Sequence, residues 1–218
     1  MFFILRLIFF SFHSIIEIEN NRGEAKLMNI CVYGASSNII DNSYIDAGER
    51  LGEEMAKRGH SLVYGGGTHG LMGAVARGMS RENGNIIGVA PSFFEVDGVL
   101  YDKCTEFIYT ETMRERKKIM EENSEAFIVT PGGIGTYEEF MEILTLKQLN
   151  RHQKAIAILN TNGYYDMMIE LLKESVRQKF MRNETLELFE TFGDCVELLD
   201  YFESYESKEV NIKETKHI

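Results

Sequence analysis

From Met28 onward, short uninterrupted apolar runs alternate with stretches of helix length, and this alternation constrains the fold more than any other feature. The runs are "NICVY" (Asn29–Tyr33), "HSLVY", "NIIGVA" (ended by Pro91), "CTEFIYT", "EAFIVT", "KAIAIL" and "TLELFETF". Between them lie a helix over about Asp41–Arg58 closed by Gly59, "LMGAVARGMSREN", "TMRERKKIMEEN", a helix from Thr136 to about Leu149, and "YYDMMIELLKESVRQKF"; "GDCVELLDYFESY" follows the last run. Ser92–Lys103 reads as an irregular loop. Strands that are apolar on both faces belong to a parallel sheet covered on both sides. The expected fold is α/β: a Rossmann-like, doubly wound, mainly parallel sheet with right-handed crossovers. Ligands of such folds bind beyond the carboxyl ends of the strands. Three loops should meet there: "GASSN", "GGGTHG" and "TPGGIGT".

The predicted domain runs from residue 28 to 205, followed by a polar tail over 206–218. Residues 1–27 form an extra segment. Phe2–Ile16 is apolar, but Arg6 and His13 interrupt it. The run is too short and broken for a membrane span and lacks the basic start and cleavage site of a signal peptide. It reads as an added amphipathic helix, a weakly membrane-associating segment, or residues upstream of a native start at Met28. The third reading is favoured. Met28 directly precedes the first strand, and "RGE" at Arg22–Glu24 suits a purine-rich ribosome-binding stretch. A mature N-terminus at Met1, found by mass spectrometry, would sink it.

The formal net charge is -11, which argues against binding a nucleic-acid backbone but not against one small anion in a locally basic pocket. The three cysteines, Cys31, Cys104 and Cys195, are isolated. They read as reduced thiols of a cytoplasmic protein. No spacing of cysteine and histidine fits a metal site.

Gly65, Gly67 and Gly70 match GxGxxG after a strand and before a helix. A dinucleotide site also needs an acidic residue at the end of the next strand, which here reads "GVAPS". The glycines then serve a tight turn and close helix packing. No GxxxxGK[ST] loop is present. "VTPGGIGTYEEF" (Val129–Phe140) is more informative. Its glycines let a ligand approach the backbone, and it opens onto a helix N-terminus, where free N–H groups attract anions. A purely structural alternative is a capping box, with Thr136 as N-cap and Glu139 at the third helical position. Just upstream, "MRERKKIM" places either Arg116 or Lys117 on the helical face of Met113 and Met120. A cation there is partly desolvated and needs a partner. Arg114 and Lys118 read as solvated.

The ordered motifs "VYGASS", "YGGGTHGLMG", "MRERKKIM", "PGGIGTYEE" and "LNTNGYYD" resemble the lonely-guy family of cytokinin riboside 5'-monophosphate phosphoribohydrolases over roughly Met28–Tyr201. The diagnostic PGGxGTxxE is intact from Pro131 to Glu139. The resemblance implies cofactor-free hydrolysis of the N-glycosidic bond of adenine-type nucleoside 5'-monophosphates, to free base and ribose 5-phosphate, by a homodimer. It implies catalytic Arg116 and Glu139, with substrate contacts at Lys117, Gly132, Gly133, Ile134, Gly135, Thr136, Tyr137, Glu138 and Thr145. The chain departs from the family at Thr112, Arg114, Leu146, Ala155 and Gly98, which bears on base specificity more than on the core chemistry.

N-glycoside cleavage passes through an oxocarbenium-like sugar. A carboxylate such as Glu139 can stabilise it and act as base or nucleophile. The reading leaves open which of these it is, and whether the substrate is AMP or a modified nucleotide. The competing readings are a non-catalytic nucleotide sensor of the same fold and an NAD-dependent oxidoreductase. The joint presence of Arg116 and Glu139 favours the enzyme over the sensor.

Overall fold

A computed structural model describes residues 26–96 and 98–207. Most of the extra N-terminal segment and most of the polar tail lie outside these residues. Seven strands form a single sheet: β1 (Asn29–Tyr33), β2 (Ser61–Tyr64), β3 (Ile86–Pro91), β4 (Glu106–Thr110), β5 (Ala126–Val129), β6 (Ala155–Leu159) and β7 (Glu190–Phe192). Every pairing between them is parallel, in the order β4-β3-β2-β1-β5-β6-β7. This is the doubly wound arrangement expected from the alternation.

Alternate strand residues feed two cores. Ile30, Val32, Leu62, Tyr64, Ala126 and Ile128 face one side, and Cys31, Tyr33, Val63, Phe127 and Val129 face the other. Helices α1 (Asn42–Lys57), α2 (Gly70–Arg81) and α6 (Cys195–Ser204) cover the first side. Helices α3 (Met113–Glu122), α4 (Ile134–Gln148) and α5 (Asp166–Arg177) cover the second.

Local chemistry explains the helix boundaries. Asp41 caps α1 by accepting from the Ser43 N–H at 2.9 Å. Gly59, at φ +79°, ends it as expected: its N–H donates to the Ala56 carbonyl and that of His60 to Met55, a Schellman pair. Thr112 caps α3 through the Glu115 N–H. The helices α1 and α2 cross almost backbone to backbone. A Cβ on Gly52 would lie 2.1 Å from the Val75 carbonyl oxygen, and one on Gly78 would lie 2.0 Å from that of Glu49.

The last predicted strand is only partly a strand. Asn183–Leu188 forms a 3-10 helix, and only Glu190–Phe192 joins the sheet. Three residues per turn put Thr185 and Leu188 on one side, where both are buried. The buried Lys147 ammonium donates to the Leu188 carbonyl at 2.8 Å and fastens this turn to α4.

All three cysteines are free, and burial raises each thiol above its ordinary value, Cys31 to about 12. Among the described residues, no helix is long and apolar enough to cross a membrane.

Candidate active site

Strand order reverses beside β1, because the chain runs outward through β2, β3 and β4 and returns to pair β5 with the other edge of β1. The loops leaving β1 and β5 meet there, with the Ala35 N–H donating to the Pro131 carbonyl at 3.0 Å. This is the switch point at which open α/β sheets bind ligands.

Two helix N-termini reach the crevice, and they differ. At α2 the Gly70 N–H donates to Asn38 Oδ1, and those of Leu71 and Met72 donate to the Ala35 carbonyl. That end is occupied by the protein itself, so the glycine motif before it offers no pyrophosphate seat. At α4 the helix begins at Ile134, with Gly133 as an extended N-cap and no side-chain cap. The sequence predicted a start at Thr136 with a capping box to Glu139. Instead Thr136 is the third helical residue and Glu139 lies in the second turn, so no capping box forms. Among the described residues, no N–H from Gly132 to Thr136 donates to a protein acceptor. The mean electrostatic effect of such an end favours an anion.

Glu139 and Arg116 are both buried, and Arg116 Nη1 donates to Glu139 Oε1 at 2.9 Å. Arg116 Nε donates to the Val89 carbonyl at 3.2 Å, which fixes the plane of the guanidinium. Burial raises the Glu139 carboxyl above its ordinary value and outweighs the opposing pull of Arg116. Gly65 makes this geometry possible, since a Cβ there would lie 2.2 Å from Arg116 Nη2. Of the two cations between which the sequence left the apolar face of α3 open, Arg116 takes the inward place.

A cavity of about 610 Å³ lies between the three loops. Gly34, Ala35 and Ser36 line it, with Gly65, Gly67 and His69, and Gly133, Ile134, Gly135 and Thr136. Arg116 and Glu139 form part of the wall. Met72, Phe94, Val99, Leu100 and Met113 add an apolar side. The last strip was not anticipated. Ser92–Lys103 read as irregular, yet its backbone is stitched to the glycine loop by Thr68 N–H to Val99 O at 3.0 Å and Tyr101 N–H to Gly66 O at 2.9 Å. Its apolar Phe94, Val99 and Leu100, in an otherwise loop-like stretch, were the available signal.

The remaining predicted residues stand apart from the cavity wall. Gly132 lies just behind it, where a Cβ would meet Thr136 Oγ1 at 2.1 Å. Tyr137 hydrogen-bonds Tyr164, hydroxyl to hydroxyl, at 3.0 Å. Lys117 pairs with Glu138 and, at 2.8 Å, with Glu142. Burial pulls the Lys117 ammonium down, but its two carboxylate bonds outweigh that and leave it raised. Thr145 is exposed on the outer face of α4. Among the described residues, no cluster of three or more histidine, cysteine, aspartate or glutamate side chains could hold a metal ion.

The chain was compared with known proteins. A family described as possible lysine decarboxylase matches residues 72–202. A probable cytokinin riboside 5'-monophosphate phosphoribohydrolase of Oryza sativa subsp. japonica is 36% identical over 182 residues, covering 84% of this chain and 80% of the relative. A cytokinin riboside 5'-monophosphate phosphoribohydrolase of Arabidopsis thaliana is 31% identical over 185 residues, covering 85% of this chain and 87% of the relative. Among solved structures, the molybdenum cofactor carrier protein of Chlamydomonas reinhardtii superposes with a TM-score of 0.60 at 21% identity, over 80% of this chain and 95% of that one. The molybdenum cofactor binding protein of Rippkaea orientalis gives 0.59 at 21% identity, over 81% and 98%. At that identity the two structures speak for the fold alone. The sequence relatives, with the intact PGGxGTxxE stretch at the crevice, show that the chain belongs to the lonely-guy family.

Proposed function

We propose that this protein hydrolyses the N-glycosidic bond of adenine-type nucleoside 5'-monophosphates, releasing the free base and ribose 5-phosphate. The observation that carries the reading is one cavity that joins an open helix N-terminus to a buried carboxylate–guanidinium pair. The activity for which the sequence relatives are named points the same way. The N–H groups of Ile134, Gly135 and Thr136 would take the 5'-phosphate. That anchor lets binding energy remote from the bond orient the ribose beside Glu139. Positive charge developing at C1' is stabilised by the Glu139 carboxylate. As the C1'–N bond breaks, its electron pair leaves with the base. Water supplies the hydroxyl to C1' and a proton to the base, either directly or after a transient ester to Glu139. Arg116 opposes the effect of burial on the carboxylate and keeps it aimed. The apolar strip of Met72, Phe94, Val99, Leu100 and Met113 suits a base, plain or bearing an apolar substituent. No step calls for a cofactor.

The test is incubation of purified protein with AMP and with isopentenyladenosine 5'-monophosphate, followed by chromatography of the free base. Release from at least one is expected, and their ratio assigns the substrate. No base from either would favour a nucleotide sensor of the same fold.

We also propose a homodimer in the cytoplasm. Ile134, Met167 and Leu171 are 86%, 86% and 64% exposed on α4 and α5, an apolar surface that a second copy would cover. Thr145, Glu138 and Lys117 would then approach the partner. The free thiols suit a reducing compartment. Sedimentation at micromolar concentration is expected to give twice the chain mass, and a clean monomer would overturn this.

A further inference from the structure

The loop that carries the open N–H groups is tied back by its carbonyls. Three in succession accept hydrogen bonds from elsewhere in the fold. The Tyr165 hydroxyl donates to Thr130 O at 2.8 Å, the Ala35 N–H to Pro131 O at 3.0 Å, and the Tyr164 hydroxyl to Gly132 O at 2.7 Å. In a planar trans peptide, the N–H points opposite to the preceding carbonyl. Holding Gly132 O therefore turns the Gly133 N–H to the opposite side, whereas Thr130 O shares its peptide with the Pro131 nitrogen, which carries no hydrogen, so the Tyr165 bond fixes the path of the loop rather than an N–H. Tyr164 and Tyr165 follow β6 and are far from this loop in sequence.

We propose that Tyr164 and Tyr165 are positioning residues for the anion seat: the Tyr164 hydroxyl holds the Gly132 carbonyl so that the Gly133 N–H faces a bound phosphate together with those of Ile134 to Thr136, and the Tyr165 hydroxyl anchors the same loop two residues earlier, at Thr130. This rests on the phosphate placement proposed above.

The tyrosines are themselves fixed. The Tyr165 N–H donates to Asn160 Oδ1 at 2.7 Å, and Asn160 Nδ2 donates to Asp166 at 2.6 Å, closing the turn on which both rings sit. Tyr165 is fully buried, with its ring edge-on to Tyr137 and to Tyr164. A carbonyl oxygen can only accept, so the Tyr164 proton points to Gly132 and Tyr137 donates to the Tyr164 oxygen. The neighbouring Tyr137 hydroxyl, followed by burial, pushes the Tyr164 phenol up to about 12, so it stays protonated and donating at ordinary pH. Burial raises Tyr165 as well.

A buried phenol also needs a partner for its own sake, and a purely structural role would show only as lost stability. The two roles separate in ligand binding. Tyr164→Phe and Tyr165→Phe each remove one oxygen and leave the ring. Each is made in the full chain and assayed by base release from whichever nucleotide the wild type cleaves. Inorganic phosphate, ribose 5-phosphate and adenosine serve as inhibitors. A lost hydrogen bond should raise the inhibition constants of inorganic phosphate and ribose 5-phosphate, and the KM of the nucleotide, by about three- to tenfold. The inhibition constant of adenosine, which has no phosphate, should not move, and kcat should fall less than KM rises. Equal weakening of adenosine and phosphate, or unchanged phosphate inhibition with only a lower Tm, would overturn the proposal. Should Tyr165→Phe fail to fold, the half-exposed Tyr164→Phe still decides it. A wild-type protein that phosphate does not inhibit overturns the phosphate placement and this inference with it. Inhibition of the wild type that neither variant weakens overturns this inference alone.

Discussion

Glu139→Gln is expected to lower turnover by about 10²- to 10⁴-fold while the protein stays folded. Glutamine would also fit the capping box that the sequence offers as the structural alternative. The helix start at Ile134 removes that reason, and packing supplies another. The amide oxygen can still accept from Arg116 Nη1 in the place of Oε1, so the buried cavity wall keeps its shape. Folding also raises this carboxyl, which means that the folded state holds the proton more tightly than the unfolded chain. Its contribution to stability is therefore present at low pH and lost as pH rises from the ordinary carboxylate value through the raised one. Glutamine has no such loss. Activity should run in the opposite sense, because the proposed mechanism works through the ionised form. The wild type should gain kcat/KM as pH rises through the raised Glu139 value, and the variant's residual rate should lack that limb. Turnover by Glu139→Gln close to that of the wild type would sink the mechanism.

Arg116→Met should abolish activity and also destabilise the fold by about 3–5 kcal/mol, because it strands a carboxylate in a buried site. Adding Glu139→Gln to Arg116→Met should recover much of that stability and none of the activity. The pair are hydrogen-bonded neighbours, so their effects should be far from additive. Arg116→Lys should not rescue, since one guanidinium serves both Val89 O and Glu139 Oε1, which an ammonium at the same place cannot reproduce. Gly65→Ala tests the same arrangement from behind, by pushing a methyl group against Arg116 Nη2. It should lower kcat/KM without touching either charged residue. Chemical denaturation and initial rates on the same preparations check all four variants. Arg116→Met with near-normal turnover would overturn the assigned role.

Much of the fold was legible because the strands are apolar on both faces, as only a sheet covered on both sides requires. The Arg116–Glu139 pair was half legible. Helical spacing left Arg116 and Lys117 level, and burial decides between them. The start of α4 was misread for an identifiable reason. Glycine is a poor helix former, so Ile134 and Gly135 looked like loop, while Thr-x-x-Glu carried a familiar cap pattern. An open first turn has no side-chain signature, because what defines it is donors left unused. The loop over Ser92–Lys103 was lost similarly, since backbone bonds at Gly66 and Thr68 dock it. Tyr164 and Tyr165 were visible only as part of a motif, since their partners are main-chain carbonyls some thirty residues away.

The two helix ends at the crevice have a consequence for ligand valence. One is neutralised internally by Asn38 and Ala35, and the other is left as a vacant positive pole. With the phosphate placed as proposed, the crevice would accept a single anionic group at one end. A dinucleotide laid across the same switch point would bring its second phosphate to a pole already quenched. On that reading the four residues from Ala35 to Asn38, in the loop after β1, would turn a fold that elsewhere holds pyrophosphates into a seat for monophosphates.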